Sequence, residues 1–285
     1  MSALWQAGTI TAAPGVHDPL TARIAEQAGH SALYLSGNAM ALGLGKGQPF
    51  ITLTETAAIT SRVTATTDLP VLVDAGAGFG DPAHLHLAVQ EIEAAGATGL
   101  HIDDQPYPKR AAYHRGEGTL VSPEAMALRL RTAVSARRTA AFAIVARTDA
   151  LRVTKSIDET LARCAGYVDA GADALMVLDL GPDATAPFRA AFPSTPLVWI
   201  GGVVPPIPSL ATLQKAGFVL ACYPFNGVAL ITSGLADLWA GLARSGVIDQ
   251  PDESLARARK DTLDLVEMQR FWDIESGQGD DCDRA

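Results

Sequence analysis

The stretch EAAGATGLHIDD, residues 93–104, joins the end of a helical pattern at Gly96 directly to an apolar run that closes on two aspartates. The glycine suits the left-handed position that commonly ends a helix, and the apolar run suits a buried strand. The same order recurs in EQAGHSALYLSG (26–37), DAGADALMVLDL (169–180) and QKAGFVLACYPF (214–225). The recurrence predicts a chain built from helix–strand units.

Further apolar runs lie between these units, in GTITAAPG (8–15), PVLVDAG (70–76), FAIVART (142–148) and PLVWIGG (196–202). They are short and rich in branched residues and lack clean alternation, which indicates strands buried on both faces and therefore parallel. Together the runs give eight strands within 285 residues. This count favours an α/β fold of the (β/α)8 TIM-barrel type over an open doubly wound sheet.

The composition restricts the class of partner. Acidic residues outnumber basic ones, 31 to 22, for a net charge of −9, which argues against nucleic acid and against a polybasic membrane anchor. No apolar run reaches the roughly 20 residues of a membrane span, and the opening MSALWQAGTITAAPG does not read as a signal peptide, so we expect a cytoplasmic protein. Cys164, Cys222 and Cys282 are scattered and predict neither a zinc site nor a disulfide framework.

Polar residues stand where the predicted strands end, notably Ser36, Asp74, Asp103 and Arg147. In a barrel of this type the catalytic groups project from these ends. An aspartate or serine there can instead cap the next helix. Arg147 has no such role and requires a carboxylate or an anionic ligand. His101, between two apolar residues of a predicted strand, is expected to be a satisfied core histidine.

The segment from about Pro106 to Gly118, after the fourth predicted strand, is long for a connection in a barrel. It carries Lys109, Arg110, Tyr113, His114, Arg115 and Glu117. A solvated surface loop is one interpretation. The other is a mobile lid, because a cationic lid over an acidic floor would enclose a small anionic substrate.

Several motifs in collinear order carry a resemblance: YLSGNAMA (34–41), LVDAGAGFGDP (72–82), GLHIDDQ (99–105), PKRAAYH (108–114), IVARTDA (144–150) and YP (223–224). Together they resemble the isocitrate lyase / phosphoenolpyruvate mutase superfamily, in particular its methylisocitrate lyase-like branch. The resemblance implies a barrel whose C-terminal helix is exchanged between subunits, a homo-oligomer (tetramer or dimer), and Mg²⁺ with a small 2-oxo or 2-hydroxy carboxylate as substrate.

The resemblance also implies roles for individual residues. Ser36, Gly37 and Asn38 would bind the substrate carboxylate. Asp74 would be the principal metal carboxylate, with Asp103 in an outer position where the family usually has glutamate. Arg147 would clamp substrate oxygens, and Lys109 and His114 match the lid segment of the family lyases. If a proton must be delivered, Tyr113 or His114 of the lid is the nearest candidate, and His114 is better matched to neutral pH.

The chain departs from the family pattern at four places. Gly76 replaces the second aspartate of Asp-Ala-Asp, and Gly47 or Gln48 replaces another, so we expect a weakened magnesium site. The lid cysteine of the lyases falls at Ala111 or Ala112, and neither alanine side chain can transfer a proton. VLDL (177–180) and WIGG (199–202) replace a Pro-Glu and an Asn of strands six and seven. These departures argue against a true isocitrate or methylisocitrate lyase.

The expected function is a divergent carbon–carbon lyase or decarboxylase. It would act on a small 2-oxo or 2-hydroxy di-carboxylate through a metal-stabilised enolate, in the manner of an oxaloacetate decarboxylase. Two alternatives stay open: a phosphonopyruvate-type P–C mutase or hydrolase, and a non-catalytic carboxylate-binding scaffold. The expected organisation is a barrel over residues 1–250, an oligomerisation helix over 251–275 and a disordered tail over 276–285.

Overall fold

The computed structural model describes residues 4–5, 8–115 and 118–277. The chain divides into two compact units, residues 1–229 and 230–285. The predicted boundary at residue 250 lies inside the second unit. Within the described residues, no helix is both long and apolar enough to cross a membrane.

The first unit contains eight parallel strands that close into a barrel in sequence order, which confirms the predicted fold. The strands are Thr11–Val16 (β1), Leu33–Leu35 (β2), Val71–Asp74 (β3), Gly99–Asp103 (β4), Ala143–Thr148 (β5), Ala174–Val177 (β6), Leu197–Ile200 (β7) and Phe218–Tyr223 (β8). In the register of the sheet, Asp74 lies beside His101 and Asp103 lies beside Arg147. Polar residues from three neighbouring strands therefore meet at one end of the barrel.

Helices follow the strands. They are Pro19–Gln27 (α1), Gly37–Gly43 (α2), Leu53–Thr64 (α3), Pro82–Ala94 (α4), Pro123–Ala136 (α5), Ala150–Thr154 (α6), Ile157–Asp169 (α7), Ala186–Ala191 (α8), Leu210–Lys215 (α9), Asn226–Ser245 (α10), Asp252–Leu265 (α11) and Met268–Glu275 (α12). Short 3-10 turns cover Gln48–Phe50, Ala111–Arg115 and Pro182–Ala184.

Gly96 shows how the sequence fixes the helix-to-strand transition. It follows α4 with φ +92°, a left-handed conformation that glycine adopts without the steric cost of a Cβ. Its N–H bonds the carbonyl of Glu93 at 3.0 Å, and β4 begins three residues later. The glycine thus ends the helix and turns the chain back into the sheet.

Alternate strand residues face opposite sides of the barrel wall. One buried cluster contains Tyr34, Leu72, Val145, Met176, Val198 and Leu220. These residues have the same strand parity as Asp74 and Arg147, so they fill the interior below the polar end. The other buried cluster packs between the strands and the surrounding helices.

The second unit holds α11 and α12 and most of α10. The sequence predicted one helix over residues 251–275, and the structure has two. Glu267 adopts a left-handed φ of 57° between them, and this conformation ends an α-helix. Of the tail predicted over 276–285, residues 278–285 lie outside the described residues.

Candidate active site

Asp74 ends β3 and is 4% exposed. Its Oδ2 accepts hydrogen bonds from the backbone N–H of Gly37 and from Nε2 of Gln48, each at 3.1 Å. Its Oδ1 accepts from the N–H of Gly76 at 2.9 Å. Gly47 and Gln48 were the two residues that the sequence offered in place of the other missing aspartate, and Gln48 is the one whose side chain reaches the Asp74 carboxylate.

His101 lies between the two site carboxylates. Its Nδ1 is 3.1 Å from Asp103 Oδ1, and its Nε2 is 2.9 Å from the Tyr34 hydroxyl and 3.5 Å from Asp74 Oδ1. The side chain is fully buried and has partners, as expected, but those partners are site residues. His101 and Asp103 stand two apart on β4 and so point to the same face.

Asp103 is buried among cations. Lys109 Nζ lies 2.8 Å from its Oδ2, and Arg147 Nε lies 3.6 Å from its Oδ1. Burial alone would raise the pKa of the Asp103 carboxyl, but the charges of Arg147 and Lys109 outweigh it and hold that pKa well below its usual range. Burial lowers the pKa of Lys109, but the negative charge of Asp103 raises it, and the net shift is upward. Both groups are therefore ionised at neutral pH.

Arg147, at the end of β5, is 4% exposed and anchored on both sides. Its Nε donates to Asp149 Oδ1 at 3.1 Å, and its Nη2 donates to the Tyr113 hydroxyl at 2.8 Å. Asp149 is itself held by the side-chain amide of Gln105. Burial raises the pKa of Tyr113, although Arg147 opposes the shift. Tyr113 therefore keeps its proton at neutral pH while its oxygen accepts from Arg147.

Asp104 next to this group has a structural role. It accepts hydrogen bonds from the Thr148 and Tyr167 hydroxyls at 2.6 and 2.9 Å and from the N–H of Asp149 at 3.0 Å. Burial raises the pKa of Asp104. These bonds fix the turn after β5 and thereby position Asp149 and Arg147.

A cavity of about 520 Å³ opens above these residues. Five of the predicted site residues line it: Ser36, Asn38, Asp74, Tyr113 and Arg147. Lys109 instead lines a separate cavity of about 30 Å³ beside Asp74 and Gly76. Gly37 borders that smaller cavity, and its backbone N–H donates a hydrogen bond to Asp74. The side chain of His114 lies outside the described residues.

Asp74, His101 and Asp103 could hold a metal ion, since one ligand atom from each lies within 4.8 Å of the others. Two carboxylates beside a cavity suit a hard divalent ion that keeps several waters. The space that the family aspartate would fill is open, because a Cβ added at Gly76 would meet no atom within 4 Å. The donor set fits a divalent ion, with Lys109 as a competing cation on Asp103.

Sequence reasoning missed the parts played by Tyr34 and His101, and it did not predict that the Gln48 side chain binds Asp74. Strand alternation was the available signal for His101, since it shares a face with Asp103. The interpretation of the segment 106–118 as a plain surface loop is not supported, because Lys109 and Tyr113 turn inward onto Asp103 and Arg147.

Comparison with known proteins assigns the chain to a family. Residues 1–232 match the phosphoenolpyruvate phosphomutase family. The chain is 32% identical to 2,3-dimethylmalate lyase of Eubacterium barkeri over 83% of this chain and 84% of the relative. It is 34% identical to a probable 2-methylisocitrate lyase 2 of Corynebacterium glutamicum over 90% of this chain and 83% of the relative.

A solved structure, phosphonopyruvate hydrolase in complex with oxalate and Mg²⁺, superimposes with a TM-score of 0.84 at 25% identity, covering 94% of each chain. The resemblance found in the motifs is therefore confirmed over most of the chain. The protein belongs to the phosphoenolpyruvate mutase / isocitrate lyase superfamily.

Proposed function

We propose that this protein is a carbon–carbon lyase or decarboxylase for a 2-oxo or 2-hydroxy di-carboxylate. The observation that carries the proposal is the convergence of Asp74, Arg147 and Tyr113 on one cavity whose rim also bears Ser36 and Asn38. A fixed cation, a carboxylate that can serve a metal and a proton-carrying phenol are the groups that enolate chemistry requires.

The Ser36 hydroxyl and the Asn38 amide would bind one carboxylate of the substrate. Arg147 would bind the oxygens on which negative charge develops, and its orientation is fixed in advance by Asp149. Asp74, with Asp103 behind it, would hold a divalent ion, which when bound would stabilise negative charge on the substrate oxygens. Magnesium is our choice, supported by the Mg²⁺ and oxalate in the related phosphonopyruvate hydrolase structure.

Decarboxylation suits these residues better than the lyase reaction of relatives that use a lid cysteine. The bond between C3 and the departing carboxylate breaks, CO₂ leaves, and the bonding electron pair forms the enolate of the 2-oxo acid. One proton then adds at C3, and we propose Tyr113 as the donor because it lines the cavity. Ala111 and Ala112 begin the turn Ala111–Arg115, and their methyl side chains have no proton that they could transfer. On this ground we propose that the chain is not a methylisocitrate lyase, although relatives bear that name.

Phosphonopyruvate-type P–C chemistry is the second candidate. It is supported by the likeness to phosphonopyruvate hydrolase along nearly the whole chain. The engagement of Lys109 by Asp103 counts against it, because a phosphonyl group needs several free cationic partners.

We also propose a cytoplasmic homo-oligomer, a tetramer or a dimer, built through residues 251–275. Apolar side chains at Leu255, Phe271, Trp272 and Ile274 support this assembly. Light scattering after size exclusion tests it, and a monomer would contradict it.

The experiment is a turnover assay on the full chain with Mg²⁺, supplied with oxaloacetate, substituted malates and phosphonopyruvate. We expect CO₂ or a carbon–carbon cleavage product from the di-acids. Phosphate release from phosphonopyruvate alone would transfer the assignment to the second candidate. Oxalate binding without turnover of any compound would indicate a non-catalytic scaffold.

A further inference from the structure

The cavity above Asp74 and Arg147 is larger than a four-carbon di-acid. At about 30 Å³ for each water-sized group, a di-acid of about nine non-hydrogen atoms fills at most roughly half of such a space. The cavity measures about 520 Å³. A substrate of that size would leave much of the lining without a contact.

The two ends of the cavity differ in chemistry. One end carries the polar residues of the candidate site, which lie on or after strands β2 to β5. The other end is formed by the last residues of β7 and by the segments that follow β6, β7 and β8. Its lining includes Leu178, Leu180, Trp199, Val203, Pro206 and Phe225.

The charges at the apolar end cancel. Arg152 donates from Nε and Nη2 to the two carboxylate oxygens of Asp179, at 2.8 and 2.6 Å. Such a two-point pair satisfies the charge of each partner. A second substrate carboxylate would therefore gain little at this end compared with the pocket at Arg147.

The indole of Trp199 is fixed in place as part of this wall. A Cβ at Gly201 would lie 2.5 Å from the indole ring, so the chain requires glycine there for the ring to fold over it. The indole also makes an edge contact with Tyr223, with 5.4 Å between ring centroids. The part of the apolar wall that Trp199 forms is thus held in place by its neighbours.

We propose that this end of the cavity binds an alkyl or aryl substituent of several carbon atoms, so that the preferred substrate is a 2-oxo or 2-hydroxy di-carboxylate that carries an apolar chain. The inference rests on the proposed function, because the polar end must take the carboxylate and the adjacent oxygen. An apolar chain releases water from the wall on binding and gains affinity with each buried methylene group.

The test uses oxamate, N-butyloxamate and N-hexyloxamate as probes, titrated by calorimetry into the full chain with Mg²⁺ present. Oxamate presents a carboxylate and an adjacent amide carbonyl, and the alkyl groups on its nitrogen extend it without adding charge. We expect affinity to rise by about fourfold for each methylene group until the apolar end is filled.

Two variants on one loop locate the effect. Val203 lines the cavity and is 51% exposed, whereas Ile207 is 45% exposed and does not line it. Val203→Asp should weaken binding of N-hexyloxamate by at least about tenfold, because it places a carboxylate against the alkyl group, and this loss should be larger than the loss for oxamate. Ile207→Asp, the matched control, should change neither.

A flat affinity across the series, with oxamate still bound, would overturn the inference and leave the proposed function standing. Failure of every probe to bind would overturn both, since the carboxylate site itself would be misplaced. An equal effect of Val203→Asp and Ile207→Asp would also overturn the inference, because the loss would then not depend on the cavity wall.

Discussion

The ammonium group of Lys109 lies 2.8 Å from Oδ2 of Asp103, and Asp103 is one of the three residues that could hold a metal ion. The site therefore contains a cation of its own on one of its two candidate metal carboxylates. Since like charges at short range in a buried site repel strongly, Lys109 and a divalent ion should oppose each other there.

Replacing Lys109 by methionine should therefore strengthen magnesium binding, by about tenfold or more, because it removes the competing charge and keeps the length of the side chain. Calorimetric titration of the metal-stripped protein measures the change. The neighbouring Arg110→Met is the matched control and should leave the affinity unaltered. Weaker magnesium binding in Lys109→Met would show that Lys109 supports the metal site instead.

Gly76→Asp should also raise magnesium affinity. A Cβ there meets open space, and the φ of +52° is one that aspartate tolerates at a cost of about 1 kcal/mol. Gly76→Ala carries the same backbone cost without the carboxylate and serves as the control in both calorimetry and urea unfolding. If the two variants bind magnesium equally, the added carboxylate does not reach the ion.

Arg147→Ala should reduce oxalate affinity by at least about thirtyfold, because it removes the buried cation that faces the cavity. Arg152→Ala, in the same cavity but with its guanidinium held by Asp179, should change it by less than about threefold. Calorimetry with Mg²⁺ present measures both, and circular dichroism checks that each variant is folded. Comparable losses in the two variants would refute the assignment of Arg147 as the anion clamp.

Tyr113→Phe should lower kcat by about two orders of magnitude and leave KM within about threefold. The phenyl ring still packs under Lys109, whose Nζ lies 4.7 Å from the ring centroid, so only the hydroxyl is lost. Steady-state assays on the substrate that the screen identifies give both constants. An unchanged kcat would remove Tyr113 as proton donor and direct attention to His114.

Asp103→Asn should destabilise the protein at neutral pH by about 3 kcal/mol, because it leaves Lys109 and Arg147 buried without their carboxylate. The pKa of Asp103 is lower in the folded than in the unfolded protein. The ionised Asp103 carboxylate therefore contributes to the free energy of unfolding above the unfolded pKa of about 3.9, and this contribution is lost as the pH falls below that value. Urea unfolding at pH 7 and near pH 3.5 should show the difference from wild type narrowing on acidification.

Asp104→Asn provides the opposite case. Burial raises the pKa of Asp104, so its contribution is full below the unfolded pKa and falls as the pH rises through the folded one. The difference in the free energy of unfolding between Asp104→Asn and wild type should therefore not narrow on acidification. The same trend in both variants would mean that the pH dependence does not arise from these carboxylates.

The sequence by itself determined the barrel, because each helix-ending glycine followed by an apolar run encodes its own unit locally. It also determined that Asp74, Asp103 and Arg147 meet, since parallel strands in sequence order bring their carboxyl ends together. It did not reveal the break at Glu267, because the apolar spacing continues across it and the left-handed φ leaves no mark in that pattern.

Only the tertiary structure decided which side chains complete the site. Gln48 reaches Asp74 across 26 positions of sequence, and Tyr113 reaches Arg147 across 34. It also decided that Lys109 faces Asp103 and that one end of the cavity is apolar. Such contacts depend on how loops fold back over the closed barrel, whereas periodicity and capping describe only residues a few positions apart.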